Sequence, residues 1–389
     1  MDGPVPRSFT PHGAVYLRPV TRWIRTPEEL QALAHSLEGS RALALDSESD
    51  SLYHHFEKVC LVQLATDRGE GWLIDPLALR DLTALAPVMA DPGVVKVLHG
   101  ADYDVTTLKR DFGFAFAGLF DTMIAARYLG MPEIGLQAVA KAELGAVLSK
   151  DSQKDDWSRR PLTPRQEAYA AADVEHLLAL RERLEANLRE KGRLEWVREE
   201  CDAVAGLEPA RRRKDPDAWQ RVKGARRLKP RARAALRELL AWRDARAEGT
   251  DVPAFKILGN EVLLALAEKG PRNPGELAQV RGVLPRLRDH AGALLDAVAR
   301  ARALPEQELP SFPPAPRPPL VPEAVRHRIE ALKAWRVRTA QSLALDVSVV
   351  LPQRSAPRGF ADLEGIEGLR LWRARAFGRE ILDTLDHVS

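Results

Sequence analysis

The feature that most constrains the fold is a change of periodicity partway along the chain. Residues 1 to about 205 alternate short strand-like apolar runs with helical stretches, whereas everything after about 225 carries helical periodicity alone. RALALDSES, VCLVQLA, GWLIDP and VKVLHG read as strands bounded by Gly, Pro, Asp or Ser, and helices are expected near 103–112, 121–129, 136–144 and 164–190. The prediction is an α/β unit over 1–208 followed by helical units. A length of 389 residues agrees, since single cores stop growing near about 250 to 300 residues.

The helical part repeats itself. ALRELLAWR (235–243) matches RIEALKAWR (328–336) with an offset of 93, and Leu277, Val280, Gly282 and Gly292 recur as Leu363, Ile366, Gly368 and Gly378 with an offset of 86. A loop about seven residues shorter in the second copy accounts for the difference; chance likeness between Leu- and Arg-rich helices is the competing explanation. The proline-dense LPEQELPSFPPAPRPPLVP separates the copies as an extended spacer. Expected boundaries are therefore a connector over 209–228, a first bundle over 229–303, a linker over 304–322 and a second bundle over 323–389.

Net charge is only +3, but residues 211–237 hold twelve Lys or Arg against two Asp. Such a run serves either as a solvated face or as a track for a polyanion backbone, with Arg211, Arg212, Arg213, Lys214, Arg226 and Arg227 as candidate phosphate contacts. Two distant cysteines, Cys60 and Cys201, make no zinc spacing and suggest a reducing compartment. With neither a signal-like N-terminus nor an apolar run near 18 residues, a cytoplasmic protein without a membrane partner is expected.

The chemistry lies in acids. Asp46 and Glu48 end a strand two positions apart, so both point to one side. Asp104 follows VKVLH near a helix start, where the helix dipole favours an acid with or without chemistry. In TPRQEAYAAADVEHL (163–177), Thr163 with Gln166 makes a capping box and Pro164 takes the first helical position. Tyr169 and Asp173 then stand one turn apart on one face, and three alanines between them let the helix approach a sheet closely. Four converging carboxylates would repel one another unless cations shared them. Oxygen ligands without a Cys or His set select hard ions, two Mg²⁺ or Mn²⁺, as in the paired-ion clamp for phosphodiester hydrolysis.

LDSES (45–49), HGADYDVTTL (99–108), FDTMIAARYLG (120–130), DWSRRPLT (156–163) and YAAAD (169–173), in this order, resemble the ribonuclease D family, in the tyrosine branch of the DEDD 3′-5′ exonucleases, over roughly residues 20–205. The resemblance implies a ribonuclease H-like fold, two divalent cations, and release of mononucleotides from RNA 3′ ends such as those of transfer RNA precursors. By motif position Asp46 bridges both ions, Glu48 and Asp173 complete the first, Asp104 serves the second, and Tyr169 orients, or also helps to deprotonate, the attacking water. Ser47 stands where the family more often has Thr. His54 and His55 occupy positions where family members contact the terminal nucleotide, a solvated turn being the alternative. Trp157 is a core or lid aromatic, and Arg159 and Arg160 are either phosphate contacts or a surface pair.

The two helical repeats resemble HRDC domains, clearly in AWRDARAEGTDVPAFKILGNEVLLALA (241–267) and more distantly over 344–368. The expected architecture is an exonuclease domain followed by two all-α HRDC bundles, with no obligate protein partner. A 3′-5′ DNA exonuclease and a catalytically inert nucleic-acid scaffold remain the alternatives, separable by matched RNA and DNA digestions and by metal-dependent product.

Overall fold

The computed structural model describes residues 8–9, 15–16, 20–149, 151–210, 215–283, 285–314, 322–351 and 370–386. The chain divides into two compact units: one of Met1–Ser49, Val59–Ala210 and Leu320–Ser389, the other of Asp50–Lys58 and Arg211–Pro319.

In the first unit, β1 (Ser8–Phe9) and β2 (Val15–Tyr16) form a small antiparallel pair. The main sheet holds β3 (Val20–Ile24), β4 (Ala42–Ser49), β5 (Val59–Thr66), β6 (Glu70–Ile74), β7 (Val95–Leu98) and β8 (Leu119–Asp121) in the order β3-β6-β5-β4-β7-β8. It is mixed, with β4 antiparallel to β5 and parallel to β7. All eight residues of β5, VCLVQLAT, are buried, the pattern of a strand covered on both faces. In β4, ALAL is buried and DSES only partly, so this strand passes from core to site along its own length.

Among the described residues the helices that accompany these strands up to residue 205 are α1 (Pro27–Ser36), α2 (Pro76–Leu79), α3 (Ala86–Ala90), α4 (Asp102–Phe112), α5 (Thr122–Leu129), α6 (Leu136–Leu144), α7 (Pro164–Glu175), α8 (Leu177–Glu190) and α9 (Leu194–Ala205). The helix expected over 164–190 breaks at His176, whose φ of −104° and ψ of −7° depart from ideal helix values while staying right-handed, without any Pro or Gly to mark the break. The helix expected from 121 begins at Thr122, because Asp121 ends β8 and caps α5 with its carboxylate. The sequence analysis missed β3, α1 and α9, although Thr26 and Glu29 form a capping box at the start of α1.

The second unit carries α10 (Pro230–Thr250), α11 (Ala254–Ile257), α12 (Asn260–Lys269), α13 (Pro274–Ala278) and α14 (Ala291–Ala303). Leu236, Leu239, Leu263, Leu266 and Leu294 close a core of their own with Trp219.

The C-terminal helices α15 (Glu323–Leu343), α16 (Val347–Val350) and α17 (Leu371–Asp386) belong to the first unit. Leu332, Trp335, Trp372, Phe377 and Ile381 lie in the same buried cluster as Leu98, Leu180 and Val197. Trp372 stacks on Trp196 of α9 at 4.5 Å between ring centroids. Glu200 Oε1 accepts from Tyr128 Oη at 2.8 Å, Arg373 Nη1 at 2.9 Å and Trp372 Nε1 at 3.0 Å. Against the burial that would raise it, these donors hold Glu200 below its ordinary pKa. No helix among the described residues is long and apolar enough to cross a membrane.

Candidate active site

Strand alternation and the α7 cap bring distant acids to one place. Carboxylate oxygens of Asp46 and Glu48, from β4, and of Asp173, from α7, all lie within 4.8 Å of one another. Ala170 of α7 is fully buried against the sheet, the close approach that the alanine run permits. The one-turn spacing puts the Tyr169 phenol beside the Asp173 carboxylate, near enough for each to shift the other's titration.

Asp104 comes in from α4 and stands outside that 4.8 Å group. It is buried and accepts a hydrogen bond from Ser47 Oγ. Serine keeps the hydroxyl that threonine would offer, so the departure from the family pattern preserves this bond. Backbone amides pin the start of α4: Gly100 N donates to Asp121 Oδ1 at 3.0 Å and Ala101 N to Asp121 Oδ2 at 2.8 Å.

The electrostatics are those of an overcrowded anion site. Burial, then the charges of Asp104, Asp173 and Glu48, push Asp46 well above the usual carboxylate range. Burial, then Asp173, Asp104 and Asp155, push Glu48 to about 9. Burial also raises Asp104 and Asp173, each to about 7. Asp155, which the sequence analysis did not single out, thus faces Glu48 and joins the acidic rim. Protein alone leaves this set holding protons near neutrality, and an all-oxygen set that repels itself fits hard divalent cations. Burial and the neighbouring acids raise the Tyr169 phenol as well, which keeps its proton in place. A groove of about 620 Å³ bordered by Arg165, Ala168, Tyr169, Ala172 and His176 opens beside that phenol.

The candidate nucleic-acid contacts divide sharply. The Arg159 side chain is 80% exposed, with Nε 3.0 Å from Asp156 Oδ2. Arg160 is instead spent on protein acceptors, among them Asp75. His54 and His55 fall in the segment grouped with the second unit, where His54 Nδ1 lies 2.8 Å from Asp251 Oδ2 and the His55 ring meets Phe56 edge-on. Arg226 and Arg227 are exposed, and the Arg226 guanidinium sits 4.4 Å over the Phe312 ring. Arg211, Arg212, Arg213 and Lys214 lie outside the described residues. Other members of the basic run are internal glue, such as Arg231, whose Nη1 donates to the carbonyls of Arg302 and Leu304.

Known proteins carry the same parts. A family model described as a 3′-5′ exonuclease matches residues 21–189, and an HRDC domain model matches residues 232–298. Ribonuclease D of Pseudomonas paraeruginosa is 35% identical, with 95% of this chain and 98% of the relative covered. Ribonuclease D of Acidiphilium cryptum is 33% identical over 92% of this chain and 91% of its own. Among solved structures, Escherichia coli RNase D superposes with a TM-score of 0.68 at 27% identity, covering 94% of this chain and 99% of that one. The catalytic core of RRP6 from Trypanosoma brucei gives 0.66 at 29%, covering 74% and 82%. A mixed-sheet exonuclease unit with its acids gathered on one strand and one helix, an HRDC domain after it in sequence, and end-to-end likeness to the curated ribonucleases D together establish that the chain belongs to the ribonuclease D family.

Proposed function

We propose that the protein is a metal-dependent 3′-5′ exoribonuclease that hydrolyses RNA one nucleotide at a time to nucleoside 5′-monophosphates, with transfer RNA precursors among its substrates. The observation that carries this reading is the gathering of Asp46, Glu48 and Asp173 within 4.8 Å beside the Tyr169 hydroxyl. Support for structured RNA as substrate comes from Escherichia coli RNase D, described as an exoribonuclease involved in structured RNA processing.

Asp46 would bridge two Mg²⁺ or Mn²⁺ ions, Glu48 and Asp173 would complete the first site, and Asp104 the second. Such ions would supply positive charge against that developing on the attacking and leaving oxygens. Tyr169, whose phenol is held above its ordinary pKa by burial and the surrounding acids, would orient the attacking water beside Asp173. Ser47 holds the Asp104 carboxylate by hydrogen bond, and Arg159, Arg226 and Arg227 attract the phosphate backbone.

We also read 323–389 as a second HRDC-like copy. Helices α10 and α15 each span 21 residues, each ends on a left-handed residue, Asp251 and Ala344, both at φ 50°, and each is followed by a four-residue helix. All these features recur at the offset of 93 seen between Trp242 and Trp335.

End-labelled RNA digested with and without chelator is the test. Asp46→Asn and Asp173→Asn should lower kcat by about 10³-fold or more while RNA binding survives, and Tyr169→Phe should slow turnover without removing metal. Normal turnover by Asp46→Asn would end this reading. A matched DNA oligonucleotide degraded faster than RNA would move the assignment to a DNA exonuclease.

A further inference from the structure

Arg160 carries five donors, and its hydrogen bonds go to the protein itself. Nε donates to Asp75 Oδ2 at 2.7 Å and Nη2 to Asp75 Oδ1 at 2.8 Å, a two-point fork. Nη2 also reaches Cys60 O at 2.6 Å, and Nη1 reaches Trp157 O at 2.9 Å and Arg159 O at 2.8 Å. The Asp75 side chain is 5% exposed, so this pair is shielded from the water that weakens surface ion pairs. Asp75 follows β6 and caps α2, and Cys60 lies in β5. One guanidinium thus ties the 156–163 loop to two strands and a helix start.

That loop runs directly into α7. Its Trp157 and Leu162 pack with Ala170 of α7 against Cys60, Leu61 and Leu73, a small cluster separate from the main core. The Trp157 ring lies 6.1 Å from the Tyr169 ring. This small cluster and the guanidinium clamp lie side by side where the loop enters α7.

We propose that Arg160 is a positioning residue: its fork on Asp75 seats the 156–163 loop against α7 and so sets where the Tyr169 hydroxyl and Asp173 carboxylate stand relative to Asp46 and Glu48. The proposal rests on the function given above. Lysine keeps the charge but cannot make the fork.

The test uses the full-length protein with Arg160→Lys, Asp75→Asn and the double variant, on 5′-labelled single-stranded RNA at several salt concentrations. Expected is a fall in kcat of about 10- to 100-fold in each single variant, with KM and its salt dependence unchanged. The double variant should be no slower than the worse single one, because both remove the same interaction. Mn²⁺ binding measured by calorimetry should weaken in parallel. A raised KM with a flatter salt dependence and intact kcat would make Arg160 a phosphate contact and overturn the proposal. So would a lowered melting temperature with kcat intact, which would leave the clamp a purely stabilising role. If Arg160→Lys fails to fold, Asp75→Asn, which keeps an oxygen to cap α2, carries the same comparison. Wild-type protein that digests no RNA would sink the function instead, and unchanged Mn²⁺ affinity in the variants would still overturn the clamp.

Discussion

Helices α10 to α14 close a core of their own around Leu236, Leu263 and Leu294, whereas the C-terminal helices α15 to α17 lend Leu332, Trp335, Trp372 and Phe377 to the core of the exonuclease unit. Both segments open with a 21-residue helix that ends on a left-handed residue. The difference lies in what covers the apolar face. In the second copy large aromatics and a buried Arg373 meet Trp196, Tyr128 and Glu200, partners that the exonuclease unit supplies. Local sequence thus sets a helical hairpin, and the surface aromatics of its neighbour decide whether the hairpin becomes a separate domain or part of another.

The strongest way to break this comparison is Trp372→Ala. It removes a buried ring and a donor to Glu200, so the exonuclease unit should lose about 3–5 kcal/mol in urea unfolding, with nuclease activity lost at lower denaturant than in the parent. Unchanged activity loss would show that the second copy does not share the first unit's core. The matching change in the first copy, Leu294→Ala, should cost about 2–5 kcal/mol but unfold only the bundle of α10 to α14, leaving kcat on a short oligonucleotide as it was.

Metal and pH sharpen the same contrast. Without cations, Glu48 titrates near 9 and Asp104 and Asp173 near 7, all above unfolded carboxylates at about 4. The folded state therefore binds more protons than the unfolded one between about pH 4 and 9. This contribution to stability is present in full below the unfolded pKa and is lost as pH rises through about 7 and 9. Mg²⁺ at a hundred times its dissociation constant should restore about 2.7 kcal/mol, and one fixed Mg²⁺ concentration should stabilise more at pH 8.5 than at pH 6. In hydrogen exchange the added protection should reach 323–350 and 370–386 together with α7, and should bypass 230–303; protection of 230–303 to the same extent would erase the distinction. The smallest expected effect belongs to the exposed Arg227: Arg227→Ala should reduce the slope of log affinity for RNA against log salt by about one, uniformly across RNA sequences.

Much of the site was legible before any coordinates. Strand alternation put Asp46 and Glu48 on one side, and a capping box with a one-turn spacing put Tyr169 beside Asp173, because both rules act over a few residues. The break at His176 was not legible, since no residue type there forbids helix. The roles of Arg159 and Arg160 were indistinguishable as neighbours in sequence; one side chain is 80% exposed and the other 24%, a difference set by Asp75 and Cys60, far away along the chain.

The sequence by itself determined the alternation of strands and helices around the site, the cap at Thr163 and the acid pattern, all consequences of short-range sterics and hydrogen bonding. Only the tertiary structure decided that Ser47 holds Asp104, that Arg160 turns inward, and that the second helical copy joins the exonuclease core. Those outcomes depend on which distant apolar and charged surfaces meet, and burial is paid back only once the whole sheet has formed around them.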